Sequence, residues 1–294
     1  MAIWNLGSIN VDIVYSVPHI PAPGETLATT GRATFLGGKG ANMSVAAARA
    51  GAHCAHVGAV GESGRWCIDR LTEYGVDTRH IAMVEADMAE ALIMVDTGGE
   101  NAILLHPGAN HAIPADLLRA ALAEAETGDW FICQNETLLQ PEACELARRM
   151  GLTVAYAAAP FVAEAVTALI DDLDLLVLNE VEARQLTQAT GQHPSDLAVT
   201  HVIVTKGGDG VEWFDNGQGT SHTYPAVPVD PVDTTGAGDT FTGYLLAGLD
   251  RGMEMEEAIG LASHAGALMV TRRGTSDVIP DLSEVLEFRE SRQS

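Results

Sequence analysis

The stretch Asp233-Thr-Thr-Gly-Ala-Gly-Asp-Thr-Phe241 is the part of this chain best suited to chemistry. Gly236 and Gly238, with only Ala237 between them, let the backbone approach a ligand without Cβ atoms in the way. The residues that follow, Thr240 to Leu249, place apolar side chains at helical spacing, so the loop feeds a helix. Free N–H groups at a helix start, together with the positive end of the helix dipole, make an anion site. Asp239 stands at that start, where a carboxylate competes with a bound anion. Aspartate is also a favoured N-cap, and as a cap it would do no chemistry. In a phosphate cradle, however, it is a base that takes a proton from a hydroxyl as a phosphoryl group arrives. The amides of Gly236 to Gly238 would then face the developing negative charge.

Lysine usage points the same way. The chain holds 16 Lys and Arg, and only Lys39 and Lys206 are lysines. Both sit in glycine-rich runs, Gly37-Gly-Lys-Gly-Ala-Asn42 and Thr205-Lys-Gly-Gly-Asp-Gly210. The plain alternative is a pair of surface lysines in loops. Lys39 is followed by a helical pattern over 41–50, which gives it a fixed place.

The elements that must position these groups alternate. Short apolar runs at 130–133, 153–156, 175–178 and 202–205 are separated by helical patterns around 140–150, 161–170 and 180–189. Such alternation predicts a mostly parallel, doubly wound sheet with helices on both faces, an α/β fold. Two regions break the pattern. Residues 12–36 carry Pro18, Pro21, Pro23 and Gly24 without a helix, and residues 90–106 read as a hairpin around Thr97-Gly-Gly-Glu-Asn101. They predict a small β lid on a single domain spanning 1–294; the alternative is two excursions at the sheet edge.

In open α/β sheets ligands bind beyond the carboxyl ends of the strands. The first strand, 3–6, ends in Gly7-Ser-Ile-Asn-Val-Asp12, which places Asn10 and Asp12 just past that edge. Asp12 either accepts hydrogen bonds from polyol hydroxyls or caps its own turn. The 130–133 strand offers Glu136 to the same region, and the 175–178 strand ends in Asn179-Glu-Val-Glu182. Glu182 could hold water around Mg²⁺, which keeps much of its hydration, or be an ordinary first-turn glutamate.

Composition narrows the function class. A net charge of −24 with no basic stripe repels nucleic acid and anionic membranes, and is also compatible with a saline habitat. No apolar run is long enough for a membrane span, and the N-terminus lacks the pattern of a signal peptide. The four cysteines show no metal-ligand spacing and read as buried thiols in a reducing compartment, so the expected location is cytoplasmic. No GxGxxG follows the first strand, which disfavours a Rossmann dehydrogenase.

Taken in order, Gly7–Asp12, Pro23-Gly-Glu-Thr26, Gly37–Asn42, Gly108-Ala-Asn110, Asn179–Glu182 and Asp233–Phe241 resemble the ribokinase-like (PfkB) family of carbohydrate kinases over essentially the whole chain. The resemblance implies a doubly wound sheet with a β lid that often serves as a dimer interface. It implies that Asn10, Asp12, Gly38, Lys39, Asn42 and Glu136 hold a sugar. It also implies that Asn179, Thr205, Lys206, Gly207, Gly208, Gly210, Gly238 and Ser263 hold ATP, that Glu182 serves Mg²⁺ through water, and that Asp239 is the base. A monovalent cation such as K⁺ would sit on carbonyls of Asp233, Thr235, Met269, Arg272 and Gly274. Three departures stand out: Ala157-Ala-Ala-Pro160 lacks an expected Asn, Ser263 and His264 occupy an adenine-side position where Asn is usual, and Val278 replaces a serine of the cation loop. The expected reaction is transfer of the γ-phosphoryl group of ATP to a primary hydroxyl of a small sugar, ribose first. Fructose or another ketose, a deoxysugar or a nucleoside are the alternative acceptors, and a non-catalytic sensor is the alternative class.

Overall fold

The computed structural model describes residues 1–292. Nine strands form the main sheet: β1 (Ala2–Leu6), β4 (His53–Gly61), β5 (Ile81–Val84), β8 (Trp130–Gln134), β9 (Thr153–Ala157), β10 (Leu175–Asn179), β11 (His201–Thr205), β12 (Val211–Asp215) and β13 (Thr220–Tyr224). Four more, β2 (Asn10–Ser16), β3 (Gly31–Gly37), β6 (Glu90–Val95) and β7 (Asn101–His106), make a separate sheet. The helices are α1 (Lys39–Arg49), α2 (Arg65–Glu73), α3 (Ala115–Leu122), α4 (Gln140–Arg149), α5 (Ala163–Leu169), α6 (Glu180–Thr190), α7 (Ala237–Asp250), α8 (Met255–Met269) and α9 (Leu282–Ser291).

The main sheet runs β13-β12-β11-β10-β9-β8-β1-β4-β5. From β11 to β5 every neighbouring pair is parallel, and only the β11–β12 and β12–β13 pairs are antiparallel. Alternation along the central strands explains why the runs are apolar throughout. Ile3, Ile132, Ala155, Val177 and Ile203 enter the core beneath α1, α7 and α8. Their neighbours Trp4, Phe131, Val154, Leu176 and Val202 enter the core on the side of α3 to α6. With both faces covered, neither parity can be polar.

The order β3-β2-β6-β7 defines the second sheet, antiparallel except for the parallel β2–β6 pair. Here the structure corrects one expectation. Asn10 and Asp12 do not sit in a turn past β1; they belong to β2, where Asp12 lies opposite Phe35 and Ala91. The chain leaves β1 and enters the second sheet within three residues, so backbone pairing rather than Asx capping fixes both side chains.

Two close backbone contacts set the geometry of the region between the sheets. A Cβ on Gly40 would lie 2.4 Å from the Gly7 Cα, so the first turn of α1 crosses the end of β1 with no side chain between. A Cβ on Gly243 would lie 2.6 Å from the Met43 carbonyl oxygen, so α7 lies directly against α1. That second contact brings Asn42 of α1 beside Asp239 of α7.

Candidate active site

Asp239 occupies the first turn of α7, whose N-cap is Gly236 with φ of 76°. Its carboxylate does not cap the helix. Oδ2 instead accepts a 2.8 Å hydrogen bond from the Asn42 side-chain amide, and the residue is only 8% exposed. Gly238 has nothing within 4 Å of where its Cβ would be, leaving room for a group to approach the amides.

On one side of Asp239 lie polar groups of the second sheet, of the turn after β8 and of α1. Asp12 is buried, and among the described residues no protein donor bonds its carboxylate. Burial first, then the charges of Glu136 and Asp239, raise its pKa to about 7, and Lys39 partly offsets them. The Asn10 side-chain oxygen accepts from Asn110 at 2.8 Å, while the Asn110 oxygen accepts from the Ile9 amide at 2.9 Å. This orientation leaves the Asn10 NH₂ group for other partners. Glu136 Oε2 accepts from the Ser8 hydroxyl at 2.5 Å and the Lys39 amide at 3.2 Å. Burial raises the Glu136 pKa, against the opposing pull of Lys39 and the Ser8 hydrogen bond. Lys39 is the common cation of the group. The charge of Asp239 above all, with Glu136, Glu182 and Asp12, holds its ammonium protonated against burial.

On the other side is a cleft of about 570 Å³ beyond the ends of β10 and β11. Asn179, Thr205, Gly207, Gly208, Gly210 and Gly238 line its polar end, and Val227, Val229, Ala267 and Val270 its apolar walls. Ser263 lines it too, with a buried hydroxyl oxygen that bonds to no protein group. An apolar slot ending at glycine amides is the shape a nucleotide needs. Ala237 and Gly238, immediately before Asp239, line the cleft as well.

The chain is similar to known proteins over nearly its whole length. Residues 3–282 match the pfkB family carbohydrate kinase profile. The chain is 36% identical to the ribokinase of Haemophilus influenzae over 301 residues, 97% of each chain. It is 30% identical to a deoxyribokinase of Salmonella typhi over 304 residues, 98% of each. A solved structure of Arabidopsis thaliana ribokinase complexed with ribose and ATP superposes with a TM-score of 0.86 at 26% identity, covering 98% of both chains.

The chain belongs to the pfkB family of carbohydrate kinases.

It is therefore a phosphotransferase acting on a sugar hydroxyl with ATP as donor. Asn42, Asp12, Lys39, Glu136 and Glu182 gather around Asp239, and Asn179, Thr205, Gly207, Gly208, Gly210, Gly238 and Ser263 line the cleft, but other expected residues do neither. Lys206 does not line the cleft; its ammonium is paired with Glu212 on β12. Ala157 is buried at the end of β9, inside the sheet. His264 turns to the Gly260 carbonyl at 2.7 Å and stands edge-on to Phe288, so Ser263 alone of that pair reaches the cleft.

Glu182 is a first-turn glutamate of α6. Its Oε2 accepts from the Asn179 amide at 2.7 Å, while Asn179 Oδ1 accepts from the Glu182 amide at 2.9 Å, a reciprocal cap worth about 1 kcal/mol to α6. It also faces Lys39 and Asp239 closely enough for their charges to act on it, with burial the main cause of its raised pKa. No cluster of three or more metal-ligating side chains exists among the described residues. A carboxylate at the start of α6, next to cleft-lining Asn179, fits Mg²⁺ held chiefly by phosphate and water.

The segments expected to hold K⁺ are tied together by side chains. Asp233 uses both carboxylate oxygens to join the two loops, accepting from the Thr235 amide at 3.0 Å and the Gly274 amide at 3.2 Å. The Met269 carbonyl accepts from the Arg272 amide at 2.9 Å, and the Arg272 guanidinium pairs with Glu284 at 2.7 Å. Val278 methyl groups lie 3.3 and 3.6 Å from the Cβ position of Gly274. The Val278 side chain offers no oxygen, and of the five carbonyls that of Met269 already accepts a backbone hydrogen bond.

The structure adds residues that sequence reading left out. Ser8 anchors Glu136 and also accepts from the Gly40 amide at 3.2 Å; Asn110 orients Asn10. Asn110 stood in the Gly108-Ala-Asn110 motif, so a signal existed. Ser8 likewise stood in the Gly7-Ser-Ile-Asn-Val-Asp12 run. Beneath them, buried His56 bridges Ser44 at 2.8 Å and the Gly7 carbonyl at 3.1 Å, and burial holds its pKa down to about 4. It is therefore neutral, bracing the β1–α1 crossing.

Proposed function

We propose that this carbohydrate kinase phosphorylates the primary hydroxyl of ribose, with Asp239 as general base. The observation that carries the reading is the set formed by Asp12, Asn10, Glu136 and Lys39 beside Asp239, opposite a nucleotide-shaped cleft. A buried carboxylate with no protein donor suits a polyol, since each of its oxygens can accept from a hydroxyl. Ribose is favoured over the alternative acceptors because the relatives named ribokinase match at up to 36% identity. The deoxyribokinase match at 30% makes 2-deoxyribose the second candidate.

In the proposed reaction Asp12 and Asn10 hold the sugar hydroxyls, while Glu136 and Lys39 close the same pocket. Gly38 and Asn42 belong to that wall. The Asp239 carboxylate takes the proton of the attacking hydroxyl. Phosphoryl transfer proceeds through a loose transition state, so positioning and charge neutralisation carry most of the catalysis. The amides of Gly236, Ala237 and Gly238 supply the neutralisation, helped by the N-terminus of α7. Asn179, Thr205, Gly207, Gly208, Gly210 and Ser263 hold the nucleotide; Lys206 serves it only by fixing the loop through Glu212. Glu182 would orient water on Mg²⁺, and the ion when bound neutralises charge on the transferring phosphate. We give K⁺ no step.

We read residues 1–294 as one domain whose four-stranded sheet, over about 12–36 and 90–106, acts as a lid. Its edge strand β7 exposes Ile103, Leu104 and Leu105 at 52, 64 and 55%, an open apolar edge that pairing with a second copy would cover. The four free cysteines suit a reducing compartment, and we assign the protein to the cytoplasm. Among the described residues no helix is long and apolar enough to cross a membrane.

The test is ATP-dependent ADP release across ribose, 2-deoxyribose, fructose and nucleosides. Ribose should give the highest kcat/KM. A site built around a hydroxyl rejects an analogue lacking it strongly, so 2-deoxyribose should be at least about 100-fold worse. A higher kcat/KM for any other acceptor would overturn the ribose assignment, and no turnover with any would overturn the kinase reading.

A further inference from the structure

Asn42 was expected to serve the sugar, yet both ends of its side chain are committed to protein partners. Its amide nitrogen donates to Asp239 Oδ2 at 2.8 Å, and its oxygen accepts from the Ser276 hydroxyl at 2.6 Å. All three residues are buried, Ser276 completely. The chain of donors has one consistent direction. A carboxylate only accepts, so the NH₂ end of Asn42 must face Asp239 and the carbonyl end must face away. Only a donor on that far side satisfies the carbonyl, and Ser276 is that donor.

The serine is itself held in place. The side chain of its neighbour Thr275 donates to the Leu36 carbonyl at 2.8 Å, tying this loop to the end of β3. The Val278 amide donates to the Thr275 carbonyl at 3.2 Å, closing the turn that carries Ser276. At the other end of the relay, the Asn42 amide donates to the Gly38 carbonyl at 2.9 Å, so its backbone is fixed by α1. The amide plane of Asn42 is thus clamped between a base and a hydroxyl that sit on separate segments.

We propose that Ser276 is a positioning residue for catalysis: through Asn42 it fixes the Asp239 carboxylate, engaging Oδ2 and leaving Oδ1 to face the acceptor hydroxyl. Without the serine hydroxyl, the Asn42 oxygen has no donor and the amide can rotate its carbonyl toward the carboxylate, which repels it. Asp239 then loses its fixed orientation. The inference rests on Asp239 being the base, and it assigns Ser276 a role separate from any direct contact with sugar, nucleotide or cation.

The test is steady-state kinetics with ATP and ribose for Ser276→Ala, Ser276→Cys, Asp239→Asn and the Ser276→Ala/Asp239→Asn double variant, with thermal unfolding of each. Ser276→Ala should lower kcat about tenfold, or about 1.4 kcal/mol of barrier, with both KM values within about twofold. Ser276→Cys, nearly the same size with a weaker donor, should fall between it and the native enzyme. It carries the comparison if the alanine variant does not fold. In the Asp239→Asn background the alanine substitution should cost nothing further, because the oriented base is already gone. A kcat within twofold of native for both serine variants would overturn the proposal. An equal loss in both backgrounds would also overturn it, showing that Ser276 acts through packing. Near-native turnover of Asp239→Asn alone would instead refute the base assignment beneath it.

Discussion

Replacing Asp12 with asparagine should make the ligand-free kinase more stable above neutral pH while weakening its hold on the sugar. The folded protein raises the Asp12 pKa from 3.8 to about 7, through burial and then the charges of Glu136 and Asp239. That is about 3 pH units, and at about 1.4 kcal/mol per unit it amounts to about 4 kcal/mol. The sign follows from proton binding. Between pH 3.8 and about 7 the native state keeps a proton on Asp12 that the unfolded chain releases, so native stability falls as pH rises through this window. Below it nothing is lost, and above it the full cost is present. An amide has no such proton. Urea unfolding of the two ligand-free proteins should therefore give nearly equal stabilities near the bottom of the window. The variant should gain steadily as pH rises, reaching about 4 kcal/mol by pH 8. The sugar KM should rise about 10- to 100-fold, the cost of losing a charged hydrogen-bond acceptor. A variant less stable than native at pH 8, or a gain independent of pH, would refute the reasoning that Asp12 is a strained, ligand-directed carboxylate.

Other outcomes follow from the same site. Asp239→Asn should lower kcat by about 10²–10⁴-fold, the range for loss of a general base, while calorimetry still detects ATP binding. Lys39→Ala should raise the sugar KM more than the ATP KM, because Lys39 shares a pocket with Glu136 and Asp12; the reverse order would place it on the nucleotide side. Potassium should activate less than tenfold relative to a bulky organic cation at equal ionic strength, given the Val278 methyl groups where a serine oxygen was expected; stronger activation would show that another oxygen replaces it. Light scattering should show a dimer that Leu104→Glu dissociates, since a charge on the β7 edge opposes pairing; a native monomer at all workable concentrations would remove the dimer and leave the lid intact.

What could be read from contiguous residues was what depends on contiguous residues. The glycine pair before Asp239 and the helical spacing after it specify a loop entering α7, because backbone freedom and side-chain period are local properties. The apolar runs specify buried parallel strands for the same reason, and Thr97-Gly-Gly-Glu-Asn101 announces the turn between β6 and β7. Lys39 and Lys206 show where this legibility stops. Each sits in a glycine-rich run, yet Lys39 lies among four carboxylates and Lys206 is paired with Glu212. Asp12 could be read either as a polyol ligand or as a turn cap, because nothing near it in the chain names its strand partners Phe35 and Ala91. The Ser276–Asn42–Asp239 relay spans contacts 234 and 197 residues apart. No sequence window contains it, since it exists only after α1 packs against α7 and the loop after α8 closes over both. The residue types allowed the chemistry; which oxygen of Asp239 is held and which is free was decided by packing alone.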